Sequence, residues 1–346
     1  MLREYKVAVH ILNKNLLRAD KNDSIRINNL LRALYNHQTV NTYLKNLEEL
    51  IRLTEELKDS PTKNVKKIKF FNEKIEKFIK YLERPKSSPI KAVFSDIDKT
   101  LIHKSFLKKF LPVEDEGKFM SKRGASLMSQ IGSRGIPVIL ISGRRITSYE
   151  RIMNIIPHSF AVLEHGCLVL DGNKVDTNYA YNFKDYIGNP LKPKSSGILW
   201  DYEQEMRKRG YITDSKDRIS SFRIDPDKNG LNVSEQKKLL SMKHPQGIKT
   251  VRNINFIDFI PPMGGKDNAI KYLFSKLGVG WDSIACLGDD YNDLEMLSKA
   301  KYVFTHKGAV SEVKKVVKER DGYISKYSGH DGTVDMLKEV LGMIES

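Results

Sequence analysis

Cysteine is scarce in this sequence, with only Cys167 and Cys286 among 346 residues. Two thiols give no disulfide framework, and each sits among apolar neighbours as a small buried residue. No apolar run approaches the roughly 18 residues that a membrane span needs. The opening Met1-Leu2-Arg3-Glu4-Tyr5 has neither the unbroken apolar stretch nor the small-residue cleavage site of a signal peptide. A cytoplasmic protein with no membrane attachment is therefore expected. Tracts of lysine and arginine alone, zinc-ligand spacings and aromatic–basic RNA-binding signatures are also missing. The net charge of +16 is accordingly read as a basic, solvated surface rather than as the mark of a nucleic-acid partner.

What is present divides the chain by period. At 346 residues it exceeds one ordinary core, so two or three domains are expected. Residues 1–88 carry apolar side chains at spacings of three and four, as in Val40, Tyr43, Leu47 and Leu50, then Ile68, Phe71, Ile75 and Phe78. That stripe predicts amphipathic helices, broken at Asp59-Ser60-Pro61-Thr62 into a hairpin. They are expected to pack or to pair two copies of the chain. Arg84-Pro85-Lys86-Ser87-Ser88-Pro89 then reads as a linker.

From there the pattern becomes strand and helix in alternation. Ile90 to Phe94, Ile136 to Ile141 and Ser283 to Leu287 are short, nearly continuous apolar runs. A helix containing Met120, Leu127, Met128 and Ile131 is predicted between the first two. The class is α/β, with a parallel sheet covered on both faces. Residues 89–178 and 256–346 form its two parts. Residues 179–255, mixing Pro, Tyr and charge, read as an α+β insertion placed to cover a site.

Polar clusters follow these strands, at the end where such sheets bind ligands. In Ser95-Asp96-Ile97-Asp98-Lys99-Thr100, two carboxylates two residues apart are costly to desolvate. A hard divalent cation balances them, and oxygen-only surroundings favour magnesium. One carboxylate can then attack phosphorus and the other can move a proton; an acidic turn or helix cap is the ordinary alternative. Ser142-Gly143-Arg144 offers a hydroxyl and free amides, either as an anion cradle or as a capped helix start. Gly264-Gly265-Lys266 brings a lysine to a helix N-terminus. Gly288-Asp289-Asp290-Tyr291-Asn292-Asp293 gathers several acids, which demand a counter-cation.

In this order, the four clusters resemble the four motifs of the haloacid dehalogenase superfamily, over roughly residues 90–340. The insertion between the second and third motifs resembles the cap of the type IIB subfamily, which includes sucrose-phosphate and mannosylglycerate-phosphate phosphatases. Glu164-His165-Gly166-Cys167 stands where that subfamily often has Glu-Asn-Gly-Ala. The departures are Lys99, where Gly or Asn is frequent, His165, where Asn is, and the N-terminal extension. The resemblance implies a Rossmann-like core, a small phosphate monoester as substrate, a sugar phosphate foremost, and magnesium as cofactor. It implies Asp96 as nucleophile and Asp98 as acid and base. Ser142, Gly143, Arg144, Lys266 and Asn292 are implied as substrate-binding residues, and Asp96, Asp98 through its backbone carbonyl, Asp289 and Asp293 as the metal set. A phosphomutase, a nucleotidase and a partner-binding protein are the competing readings.

Overall fold

A computed structural model describes residues 88–104, 110–113 and 117–346. The helices expected before the linker, and the pairing expected of them, lie outside these residues. From β1 (Ala92–Ser95) the chain enters a small antiparallel sheet of β2 (Ile102–Lys104), β3 (Phe110–Val113) and β4 (Lys118–Ser121), in the order β2-β4-β3. It continues through α1 (Lys122–Ser133), β5 (Val138–Ile141), α2 (Ile146–Glu150), β6 (Phe160–Leu163) and the hairpin β7 (Leu168–Asp171) and β8 (Lys174–Val175). Short helices α3 (Thr177–Ala180) and α4 (Lys184–Ile187) lead to α5 (Ile198–Lys208), β9 (Thr213–Asp214), β10 (Phe222–Ile224), α6 (Val233–Ser241), β11 (Lys249–Arg252) and β12 (Ile257–Ile260). The last stretch is α7 (Lys266–Leu277), β13 (Ile284–Leu287), α8 (Leu294–Lys299), β14 (Tyr302–His306), α9 (Ser311–Glu319), β15 (Tyr323–Ser325) and α10 (Gly329–Glu345).

The large sheet runs β15-β14-β13-β1-β5-β6-β7-β8 and is parallel from β15 to β6. Every residue of β1, β5, β6 and β13 is buried, as continuous apolar runs require of a sheet covered on both faces. After β1 the chain builds outward through β5 and β6, then returns to place β13 on the other side of β1. The crevice beyond β1 and β13 is therefore the switch point where such sheets hold ligands.

Met120 does not belong to the predicted helix. It is buried in β4, paired with Ile102 and Leu111, and the helix starts after Ser121, whose hydroxyl accepts from the Gly124 amide. Strand pairing of Lys118–Ser121 wins over the helical spacing to Leu127 because the neighbouring strands Ile102–Lys104 and Phe110–Val113 supply ladder partners.

The inserted lobe is an antiparallel sheet, β11-β12-β10-β9. Phe222 of β10 and Phe259 of β12 stack at 4.6 Å, and Tyr202 of α5 packs on both at 6.2 and 6.0 Å. Because β12 lies between β11 and β10, the expected boundary at 255 cuts through this sheet, and its last strand runs to Ile260. The lobe is clasped to the core from two sides. On one side, the buried Glu164 carboxylate accepts from the Ile219 and Ser220 amides and from the Ser220 and Ser221 hydroxyls, at 2.7 to 3.2 Å. On the other, Asp290 accepts from the Ile254 amide at 2.9 Å. Among the described residues, no helix is long and apolar enough to cross a membrane.

Candidate active site

Asp96 directly follows β1, whose parallel pairing with β5 and β13 brings three loops to one point. The Asp96 amide donates to the Leu287 carbonyl at 2.9 Å, which ties the first motif to the strand that carries the fourth. Lys266 opens α7 and is 2% exposed. Its ammonium donates to Asp96 Oδ1 at 2.6 Å and to Asp293 Oδ1 at 2.5 Å. Those two carboxylates raise the Lys266 pKa against the opposing effect of burial. Asp293 Oδ2 in turn accepts from the Asp289 and Asp290 amides at 2.9 and 3.0 Å. One side chain thus orients the lysine and shapes the loop.

Asp96, Asp289 and Asp293 each place a carboxylate oxygen within 4.8 Å of the others. A single ammonium does not balance this set. Burial first, and then Asp293 and Asp289, push the Asp96 pKa up despite Lys266. Asp289, which accepts from the Thr100 hydroxyl at 2.8 Å, is pushed up to about 8 by burial and Asp293. On the same loop, the buried Asn292 Oδ1 has no hydrogen-bond partner. Clustered acids, an orphan amide oxygen and oxygen-only donors fit a hard divalent cation. Asp293 has spent both its oxygens, so Asp96 and Asp289 are the better placed to ligate.

Asp98 does not join this cluster through its side chain. Arg144 grips it as a fork, Nε to Oδ2 and Nη2 to Oδ1, both at 2.7 Å. Lys118 of β4 adds a third contact at 3.0 Å. Burial works upward on Asp98, yet Arg144 and Lys118 hold its pKa down to about 2. The resemblance counts Arg144 among the substrate-binding residues, whereas its guanidinium here is engaged on the Asp98 carboxylate, a bidentate geometry that outcompetes looser contacts. The metal role that the resemblance implies for Asp98 runs through its backbone carbonyl, which this fork does not use.

The second motif keeps the cradle. The buried Ser142 hydroxyl accepts from the Arg144 amide at 3.2 Å, and its own amide is held by the Val162 carbonyl. Gly143 has no room for a side chain, because a Cβ would lie 2.3 Å from the His165 ring. Lys99 and His165, two of the departures from the family pattern, have φ of 63° and 56°. Left-handed backbone favours Gly and Asn, so the family preference at both positions is a backbone preference. Lys118 and Glu164 are working residues that the sequence does not single out. Lys118 lies on a strand whose pairing is invisible in the sequence, and only the Glu164-His165-Gly166 run marks Glu164.

Residues 186–337 match the haloacid dehalogenase-like hydrolase family. This match, together with the four motifs converging beyond β1 and β13, makes the chain similar to hydrolases of the haloacid dehalogenase superfamily. It is 24% identical over 125 residues to a phosphoglycolate phosphatase of Aeropyrum pernix, covering 36% of this chain and spanning half the length of that relative. Its fold is similar to a Thermoplasma acidophilum protein (TM-score 0.54, 15% identity, 73% of this chain and 98% of that one). It is similar also to the sucrose-phosphatase of Synechocystis sp. PCC6803, solved with sucrose and phosphate (TM-score 0.50, 12% identity, 73% and 98%).

This geometry has two measurable consequences. Lys266→Met leaves Asp96 and Asp293 buried without their cation, and is expected to lower stability by about 3 kcal/mol; a urea-unfolding difference below about 1 kcal/mol would contradict the role given to the triad. Without a cation the folded pKa of Asp289 lies above its unfolded value, so its protonation favours the folded state below about pH 8. That contribution fades as pH rises from the unfolded pKa towards 8, where a cation replaces the proton. Thermal unfolding should therefore show a larger shift on adding magnesium at pH 8 than at pH 6; an equal shift at both would refute the assignment.

Proposed function

We propose that this protein is a magnesium-dependent phosphatase of small phosphate monoesters, acting through an aspartyl-phosphate on Asp96. The observation that carries the reading is the placement of Asp96, buried at a strand end with Lys266 on one oxygen and acids that call for a cation beside it. A carboxylate so held is a fixed nucleophile, and phosphoryl transfer depends chiefly on positioning and charge neutralisation.

In this reading, an Asp96 oxygen attacks phosphorus as the bond to the leaving alcohol breaks. Ser142, the amides beside Gly143 and the Lys266 ammonium take the phosphoryl oxygens. Asp98 moves the protons. As the carboxylate gripped by Arg144, it is ready to take a proton from the water that later cleaves the acyl-phosphate. To protonate the leaving oxygen in the first half, it must carry a proton and slacken that grip. Asp96, Asp289 and the Asp98 backbone carbonyl are the groups that would hold magnesium, whose charge stabilises the phosphoryl oxygens when bound. The lobe clasped over the site keeps out bulk water. The likeness to the sucrose-phosphatase offers a sugar phosphate as the substrate class, and the Aeropyrum relative offers a small phosphorylated acid.

Asp96→Asn is expected to cut phosphate release from p-nitrophenyl phosphate by on the order of 1,000-fold or more, with an unchanged circular dichroism spectrum. Turnover within tenfold of the parent would remove Asp96 as nucleophile. Exhaustive chelation should abolish the parent's activity and magnesium should restore it; activity that survives chelation rules out the metal.

A further inference from the structure

Among the described lysines and arginines, Lys266, Arg144 and Arg218 stand out as at least nine-tenths buried. Lys266 and Arg144 each hold carboxylates at 2.7 Å or less. Arg218 holds none. It is 3% exposed, in the loop between β9 and β10 of the inserted lobe. Its Nη1 donates to neutral oxygens alone, the Ser221 hydroxyl at 3.0 Å and the Gly143 carbonyl at 3.4 Å. Its Nε is buried with no partner.

The nearby acids are otherwise occupied. Glu164 is saturated by the amides and hydroxyls of residues 219–221. Asp258 is taken by Arg223 at 3.0 Å and by Asn253 at 2.8 Å. These acids and Asp214 act on Arg218 only at longer range, while burial and Arg223 oppose its charge. A buried guanidinium without a carboxylate is costly and persists where a further anion completes it. Gly143 locates that anion. It belongs to the cradle loop, which β5 carries alongside β1 and Asp96. Arg218 thus reaches from the lobe to the loop that carries Ser142 and Gly143, at the edge of the candidate phosphoryl site.

We infer that Arg218 is a specificity residue that binds a second anionic group on the leaving alcohol, so that the substrate is a phosphate monoester carrying a carboxylate or a further phosphate. This rests on the phosphatase reading and narrows its substrate class. A neutral sugar leaves the guanidinium unsatisfied. A carboxylate or phosphate meets its fork in the bidentate way that arginine favours.

The test is a panel of kcat/KM values on the full chain with magnesium. Glucose 6-phosphate serves as the neutral-alcohol ester, 6-phosphogluconate and 2-phosphoglycolate as the carboxylated esters, and fructose 1,6-bisphosphate as the doubly phosphorylated one. The parent should favour one charged class over glucose 6-phosphate by about 30-fold or more, the scale of a buried charge-assisted contact. Which arm wins tells carboxylate from phosphate. The ratio of charged to neutral ester should fall at least tenfold in Arg218→Lys, which keeps the charge and loses the fork, and should collapse in Arg218→Met. A parent that prefers glucose 6-phosphate overturns the inference, as does an Arg218→Lys variant that lowers charged and neutral esters by the same factor. Hydrolysis of p-nitrophenyl phosphate by the parent keeps that failure separate from failure of the phosphatase reading. If no ester on the panel and no p-nitrophenyl phosphate is cleaved, both fall together.

Discussion

The Lys266 ammonium, buried between Asp96 and Asp293, is the interaction on which the rest of the site depends. It joins a residue after β1 to one after β13 through the first residue of α7. To reach that point, α7 must start close against the core. A Cβ on Gly166 would lie 2.0 Å from the Gly265 carbonyl, and Gly265 itself has φ of 132°. The Gly265 amide also donates to the His165 carbonyl at 2.8 Å, so the lysine is anchored to the run that grips the inserted lobe. Asp293 passes the constraint on by fixing the Asp289 and Asp290 amides. Asp96, Lys266, the acidic loop and the lobe attachment form one hydrogen-bonded body, the rigidity that the proposed phosphoryl transfer needs from its scaffold.

Much of this is legible in the sequence because buried parallel strands write themselves as apolar runs, and the residues after each run lie, by topology, at the ligand end. Asp96, Ser142 and Asp289 can be placed in that way from the sequence alone. Pairings are harder. That Arg144 closes on Asp98 rather than on phosphate depends on β5 lying beside β1 and on the arginine's fork, neither of which is written locally. Lys118 joins the same carboxylate only because β4 folds back on β2. Met120 misleads for the same reason, since an apolar residue seven or eight positions before others fits a helix until a hairpin claims it. The boundary at 255 fails because β12 resembles a core strand. It is apolar and wholly buried, yet it completes the other sheet. Lys99 and His165 look in the sequence like departures without a role. Their left-handed backbone shows that the position, more than the side chain, is what the family pattern records.

The two aspartates of the first motif are chemically alike and are separated by environment. Asp96 sits among acids and is raised; Asp98 sits between two cations and is lowered to about 2. Environments that drive two carboxyls apart assign them different work. The raised one needs added positive charge to ionise, and the acids beside it are the means of recruiting that charge. The lowered one is already ionised and stands apart from the cluster, so it takes up a proton only when the grip of Arg144 and Lys118 slackens. The same comparison extends to the lobe. In the core, acids exceed the one buried ammonium that serves them, and the charge missing there is positive. In the lobe, Arg218 has no acid of its own, and the shortfall is an anion. On the proposed phosphatase reading, the four motifs deal with the phosphoryl group alone, and Arg218 at the rim is the group that would tell one ester from another.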